Sequence, residues 1–193
     1  MDTYRLFIAA PLPATVKAAL VVAQQRFRRG GAPIKWAAPE TMHLTLRFLG
    51  ETAPNLLPAL SAAIGQACAA FRAFRLSLTQ IGAFPNLRQP TVVWAGVGGD
   101  TTTLTQLAAA LDPSLAALGF TSERRPFRPH LTLGRARREA TPTAIERLGD
   151  LLRALPQLPP IEWDIHEIML FRSELRPAGA IYSAIAAYRL QDE

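Results

Sequence analysis

The chain reads as an α+β protein built on antiparallel sheets, and three observations carry that reading. Segments with a two-residue apolar alternation recur along the chain and are mostly apolar on one face only, the pattern of antiparallel strands with one solvated side. Segments with helical period separate them. The tetrapeptide His-Leu-Thr-Leu occurs twice, at 43–46 and 130–133. The two copies are 130 − 43 = 87 positions apart, close to half of 193 residues, as a pseudo-twofold pair of related halves requires.

Residues 5–10 (Arg-Leu-Phe-Ile-Ala-Ala) read as a buried strand, and 13–29 as a helix carrying Val16, Leu20, Ala23 and Phe27 on one face. Gly30-Gly31 ends that helix. A loop through Lys35 and Trp36 leads to an alternating strand at 43–49, which Gly50 closes. Residues 55–71 form an Ala-rich helix, 74–82 and 91–97 strands, and 103–118 a second long helix that Asp112-Pro113 is expected to kink or restart. Gly119 ends it. A basic loop, a strand at 130–133, a helix near 142–153 and two closing strands near 161–172 and 180–190 complete the order. No linker, charge block or low-complexity tract divides residues 1–193, so a single domain whose lobes share an interface is expected.

With 49% hydrophobic and 19% charged residues the chain can bury a substantial core, which excludes intrinsic disorder and fibrous classes. The 21 bases against 15 acids leave a net charge of +6, and 19 of the bases are Arg, whose planar fork suits phosphate oxygens and favours a polyanionic partner. Cys68 is the single cysteine, so no intramolecular disulfide and no thiolate metal site can form; in an Ala-rich helix it reads as packing. The opening Met1-Asp2-Thr3-Tyr4-Arg5 has an acid where a secretory signal carries bases, and no apolar run approaches the roughly 18 residues of a membrane span. A cytoplasmic protein without membrane association is expected.

Two of the three histidines, His43, His130 and His166, open the repeated tetrapeptide. In an extended chain His43 and Thr45 project to one face and Leu44 and Leu46 to the other, and the same holds for His130 and Thr132 against Leu131 and Leu133. Each motif thus anchors itself with two leucines and presents an imidazole beside a hydroxyl. Two such strands facing one cleft suit acid and base catalysis at phosphorus. One imidazole deprotonates water, the other protonates the leaving oxygen, and both roles are open to groups that titrate near pH 6.5. The threonine hydroxyls can donate to non-bridging oxygens as charge develops. The residues leave open which histidine is acid and which is base. A metal site would need ligands beyond two histidines, so neither metal nor cofactor is expected. His166, in phase with Glu162 and Asp164, reads as part of a polar strand face.

The paired motifs, together with Arg5-Leu-Phe-Ile-Ala, Leu12-Pro13, His43-Leu-Thr-Leu-Arg-Phe-Leu-Gly-Glu51, Arg125-Pro-Phe-Arg-Pro-His-Leu-Thr-Leu133 and a terminal Leu170-Phe-Arg-Ser173 with Gly179 and Tyr182, resemble the two-histidine (2H) phosphoesterases. Within that family the chain is similar to the branch named for 2′-5′ RNA ligase activity, and the likeness covers most of its length. The resemblance implies a bilobal fold with two antiparallel sheets around a central cleft and helices outside. It also implies opening of a 2′,3′-cyclic phosphate at an RNA end to a 2′-phosphomonoester. By the same analogy His43 gives a proton to the departing 3′ oxygen, His130 activates water, and Thr45 and Thr132 hold the phosphate.

Arg135 is a phosphate-binding candidate by analogy with bacterial members of the family. Strict alternation places it on the wrong face, and Gly134 can permit a bulge that re-aims it. Six arginines (124, 125, 128, 135, 137 and 138) with no acid among them run from 124 to 138, so Arg125 and Arg128 are candidates to follow an RNA backbone. Pro129 favours an extended Arg128 and so delivers His130 to its strand. Of Trp36, Phe48, Phe84 and Phe127, at most one is expected to stack on a base. Phe48 shares the parity of the motif leucines, which argues for burial, and is retained as an RNA-contacting candidate. The expected partner is RNA with a 2′,3′-cyclic phosphate end, tRNA fragments included, bound by a monomer. The alternatives are a 2′-5′ RNA ligase joining RNA halves with the same residues, and a non-catalytic module that binds RNA ends.

Overall fold

In the computed structural model, which describes residues 2–123, 125–154, 158–177 and 179–192, the alternating segments close into two antiparallel sheets. The strands are β1 (Tyr4–Pro11), β2 (Ile34–Trp36), β3 (His43–Thr52), β4 (Phe74–Phe84), β5 (Val92–Gly99), β6 (His130–Ala136), β7 (Glu162–Ile165), β8 (Glu167–Arg176) and β9 (Gly179–Arg189). The helices are α1 (Ala14–Arg29), α2 (Leu57–Cys68), α3 (Thr101–Ala117) and α4 (Pro142–Ala154). One sheet has the order β3-β1-β8-β9 and the other β2-β6-β5-β4-β7.

The halves are related by topology. The run β1–α1–β3–α2 corresponds to β5–α3–β6–α4, with β8 and β9 flanking β1 as β4 and β7 flank β5. Strand β2, laid on the outer edge of β6, has no counterpart. Both His-Leu-Thr-Leu copies therefore open equivalent strands, and β3 and β6 approach one another where the two sheets meet.

The α1 face named from the sequence is the buried one: Val16, Leu20, Ala23 and Phe27 lie in the core, joined by Gln24. Gly31, at φ +68°, turns the chain out of this helix, and the Ala32 amide donates back to the Phe27 carbonyl. Asp100 caps α3, its carboxylate accepting from the Thr103 amide. All four motif leucines are buried, as is Cys68.

Several boundaries differ from the sequence expectation. Lys35 and Trp36 lie in the three-residue strand β2 and not in a loop. Gly50, at φ +72°, does not end β3, which continues to Thr52. Pro113 does not restart α3, which runs as one helix. The segment at 161–172 is two strands, β7 and β8, separated at His166. No helix among the described residues is long and apolar enough to cross a membrane.

Candidate active site

The two motif strands line one cleft of about 660 Å³ between the sheets, and His43, Thr45, His130 and Thr132 all face it. The leucines between them hold each strand to its half of the core. Each imidazole is fixed in the same way. His43 Nδ1 lies 2.8 Å from the Thr41 carbonyl, and His130 Nδ1 lies 2.7 Å from that of Arg128. A carbonyl can only accept, so Nδ1 carries the hydrogen in both rings and Nε2 is the nitrogen that exchanges protons.

Their surroundings differ. His43 packs against Phe7, with ring centroids 4.6 Å apart, and meets Tyr182 edge-on at 5.3 Å. Burial pushes its pKa down to about 4, against the raising effect of the Thr41 carbonyl and with help from the Lys17 and His130 charges. His43 is therefore neutral at pH 7 in the free protein. His130 stands edge-on to Phe84 at 4.9 Å.

A bulge follows each motif at the same place. In the β1–β3 ladder Ile8 pairs with Arg47 and Ala9 with Thr45, which leaves Leu46 as the extra residue. In the β5–β6 ladder Val93 pairs with Gly134 and Trp94 with Thr132, leaving Leu133. Each bulge reverses the parity of the strand residues beyond it. Arg135 consequently lines the cleft. The same shift corrects the expectation that Phe48 is buried with the leucines: it is 68% exposed and lines the cleft, while Arg47 turns inward. Arg47 pairs with Asp112 of α3 at 3.3 Å and donates to the Thr121 carbonyl.

Gly134 serves a purpose beyond the bulge. A β-carbon there would lie 2.5 Å from Ile34 Cγ2 and 2.9 Å from the Lys35 carbonyl, so only glycine lets β2 close on β6. The Leu133 carbonyl, displaced by the bulge, accepts from the Ala37 amide at 2.9 Å and from the buried Gln24 amide at 2.9 Å.

Most of the other sequence candidates fall outside the cleft. Arg125 and Arg128 are exposed on the loop before β6; Arg125 pairs with Glu123, and Arg128 contributes its carbonyl to His130. Arg124 lies outside the described residues. Trp36, like Phe48, lines the cleft, whereas Phe127 packs on the core and Phe84 backs His130. His166 is exposed and sits elsewhere, near Asp164 and Asp192. Periodicity missed Arg5 and Lys35 as cleft residues and Gln24 as support; Lys35 alone left a signal, in the alternation of Ile34-Lys35-Trp36.

Two bulged His-x-Thr strands facing one cleft from related halves define a two-histidine phosphoesterase site. The family model of the 2′-5′ RNA ligase superfamily matches residues 16–176, and the chain belongs to that family. It is 35% identical to a Thermus thermophilus protein named RNA 2′,3′-cyclic phosphodiesterase, over 98% of this chain and 91% of the relative. A Methanothermobacter thermautotrophicus protein of the same name is 31% identical over 96% of this chain and 98% of its own. Among solved structures, E. coli LigT complexed with 3′-AMP superposes with a TM-score of 0.78 at 28% identity, over 98% of this chain and 99% of LigT.

Proposed function

We propose that the protein hydrolyses 2′,3′-cyclic phosphate ends of RNA to 2′-phosphomonoesters, using its two histidines as acid and base without a metal ion. The observation that carries this reading is the pair of His-x-Thr strands presenting to one cleft two imidazoles, each held through Nδ1 by the carbonyl two residues earlier. The relatives named for this reaction support it.

In the proposed step His130 Nε2 takes a proton from water as its oxygen attacks phosphorus, the P–O3′ bond breaks, and His43 Nε2–H protonates the departing 3′ oxygen. Thr45 and Thr132 donate to the non-bridging oxygens, with the Arg135 guanidinium adding positive charge. The division of roles follows the family. Since His43 is neutral in the free cleft, it must take up its proton as the anionic substrate arrives. Phe48, exposed in the cleft, offers an apolar ring face for the terminal base.

Purified protein incubated in EDTA with a short RNA ending in a 2′,3′-cyclic phosphate is expected to yield a 2′-phosphate. His43→Ala and His130→Ala should each lower kcat by at least about 10²-fold while keeping the native circular dichroism spectrum. Substantial turnover in either variant, or loss of activity in EDTA with rescue by a divalent ion, would overturn the mechanism.

A further inference from the structure

Two cations in the cleft stand directly opposite one another. Lys35 of β2 is the register partner of Arg135 on β6; both are exposed, and both line the cleft. Like charges directly opposed on one face of an antiparallel pair weaken the sheet. Neither takes part in an ion pair among the described residues, and the described residues lining the cleft include no carboxylate. Among the described residues no carboxylate in the cleft wall offsets the repulsion, which leaves both cations open to an anionic ligand.

The strand that delivers Lys35 points the same way. Strand β2 is the one without a counterpart in the other half, and it reaches β6 only because residue 134 is glycine. Its alternation buries Ile34 and turns Lys35 outward. Along β6 the bulge places Arg135 two ladder positions beyond Thr132, opposite Val92 where Thr132 is opposite Trp94, about 7 Å at the usual strand rise. Lys35 is therefore anchored well along the strand from the phosphate assigned to the two threonines.

We propose that Lys35, opposed to Arg135, forms a second anion subsite that takes the phosphate on the 5′ side of the terminal nucleotide. The inference rests on the proposed RNA-end reaction. Arg135, with five donors, is shared between the two phosphates, and the Lys35 ammonium serves the second. The enzyme then recognises the end of a strand in preference to an isolated nucleoside cyclic phosphate.

The test compares two product-like ligands that differ by one group, adenosine 2′-monophosphate and adenosine 2′,5′-bisphosphate, by calorimetry at fixed ionic strength. The wild-type protein is expected to bind the bisphosphate about tenfold more tightly. Lys35→Ala should abolish that preference and Lys35→Arg keep it, with melting temperatures confirming that both variants fold. Equal affinities in the wild type, or an equal loss for both ligands in Lys35→Ala, would overturn the subsite. Turnover of the cyclic-phosphate RNA, measured on the same preparations, separates the two readings. Turnover without the binding preference removes the subsite alone; the preference without turnover removes the reaction and leaves an anion site.

Discussion

At the scale of single residues, the two histidines are chemically alike and differ in environment. Burial holds His43, packed against the Phe7 and Tyr182 rings, neutral, with a pKa of about 4 against an ordinary 6.5. Between those values the unfolded chain binds the proton that the folded chain refuses. Folding stability therefore falls as pH drops through this window and is unaffected by the group above it, to a ceiling of about 3 kcal/mol. Thermal melts at pH 7 and 4.5 should show the decline, and His43→Asn should lose part of it. An NMR titration of His43 in the free protein should have its midpoint near 4. Inorganic phosphate in the cleft should move that midpoint upward, as proton uptake with substrate requires.

At the scale of elements, the paired bulges set the composition of the cleft. Without the extra residues at Leu46 and Leu133, Phe48 and Arg135 would follow the leucines into the core. The second bulge is held by Gln24, so Gln24→Met leaves the Leu133 carbonyl with the Ala37 amide alone. A loss of about 1–3 kcal/mol is expected by urea unfolding, with kcat/KM falling more than stability predicts if Arg135 shifts. Gly134→Ala should cost about 1–3 kcal/mol, because the new methyl must push β2 away from β6. Parity read from the sequence places His43, Thr45, His130 and Thr132 correctly. It fails beyond the fourth motif residue, because a bulge is a mismatch between two strands and only one of them is visible in a local window.

At the scale of the whole molecule, Arg47 ties the halves together: it sits on a strand of one sheet, pairs with α3, which precedes the strand β6 of the other, and donates to the loop leading there. Arg47→Met should destabilise the protein by about 2 kcal/mol, less than a fully buried pair would cost, because Asp112 is 31% exposed. Arg47→Lys should recover little, since an ammonium cannot span the carboxylate and the Thr121 carbonyl at once. Denaturant melts of both variants check this.

The sequence by itself determined the α+β class, nearly every helix and strand, the buried face of α1 and the side of their strands on which the four motif residues lie. These come from short-range periods and from a repeat that needs no three-dimensional information. Only the tertiary structure decided that Arg125 and Arg128 stand outside the cleft while Arg5, Lys35 and Phe48 line it, and that Gln24 and Gly134 shape it. Each of those outcomes depends on which strands become neighbours and in what register. That is a property of pairs of segments far apart in the chain, settled when the two sheets close on each other.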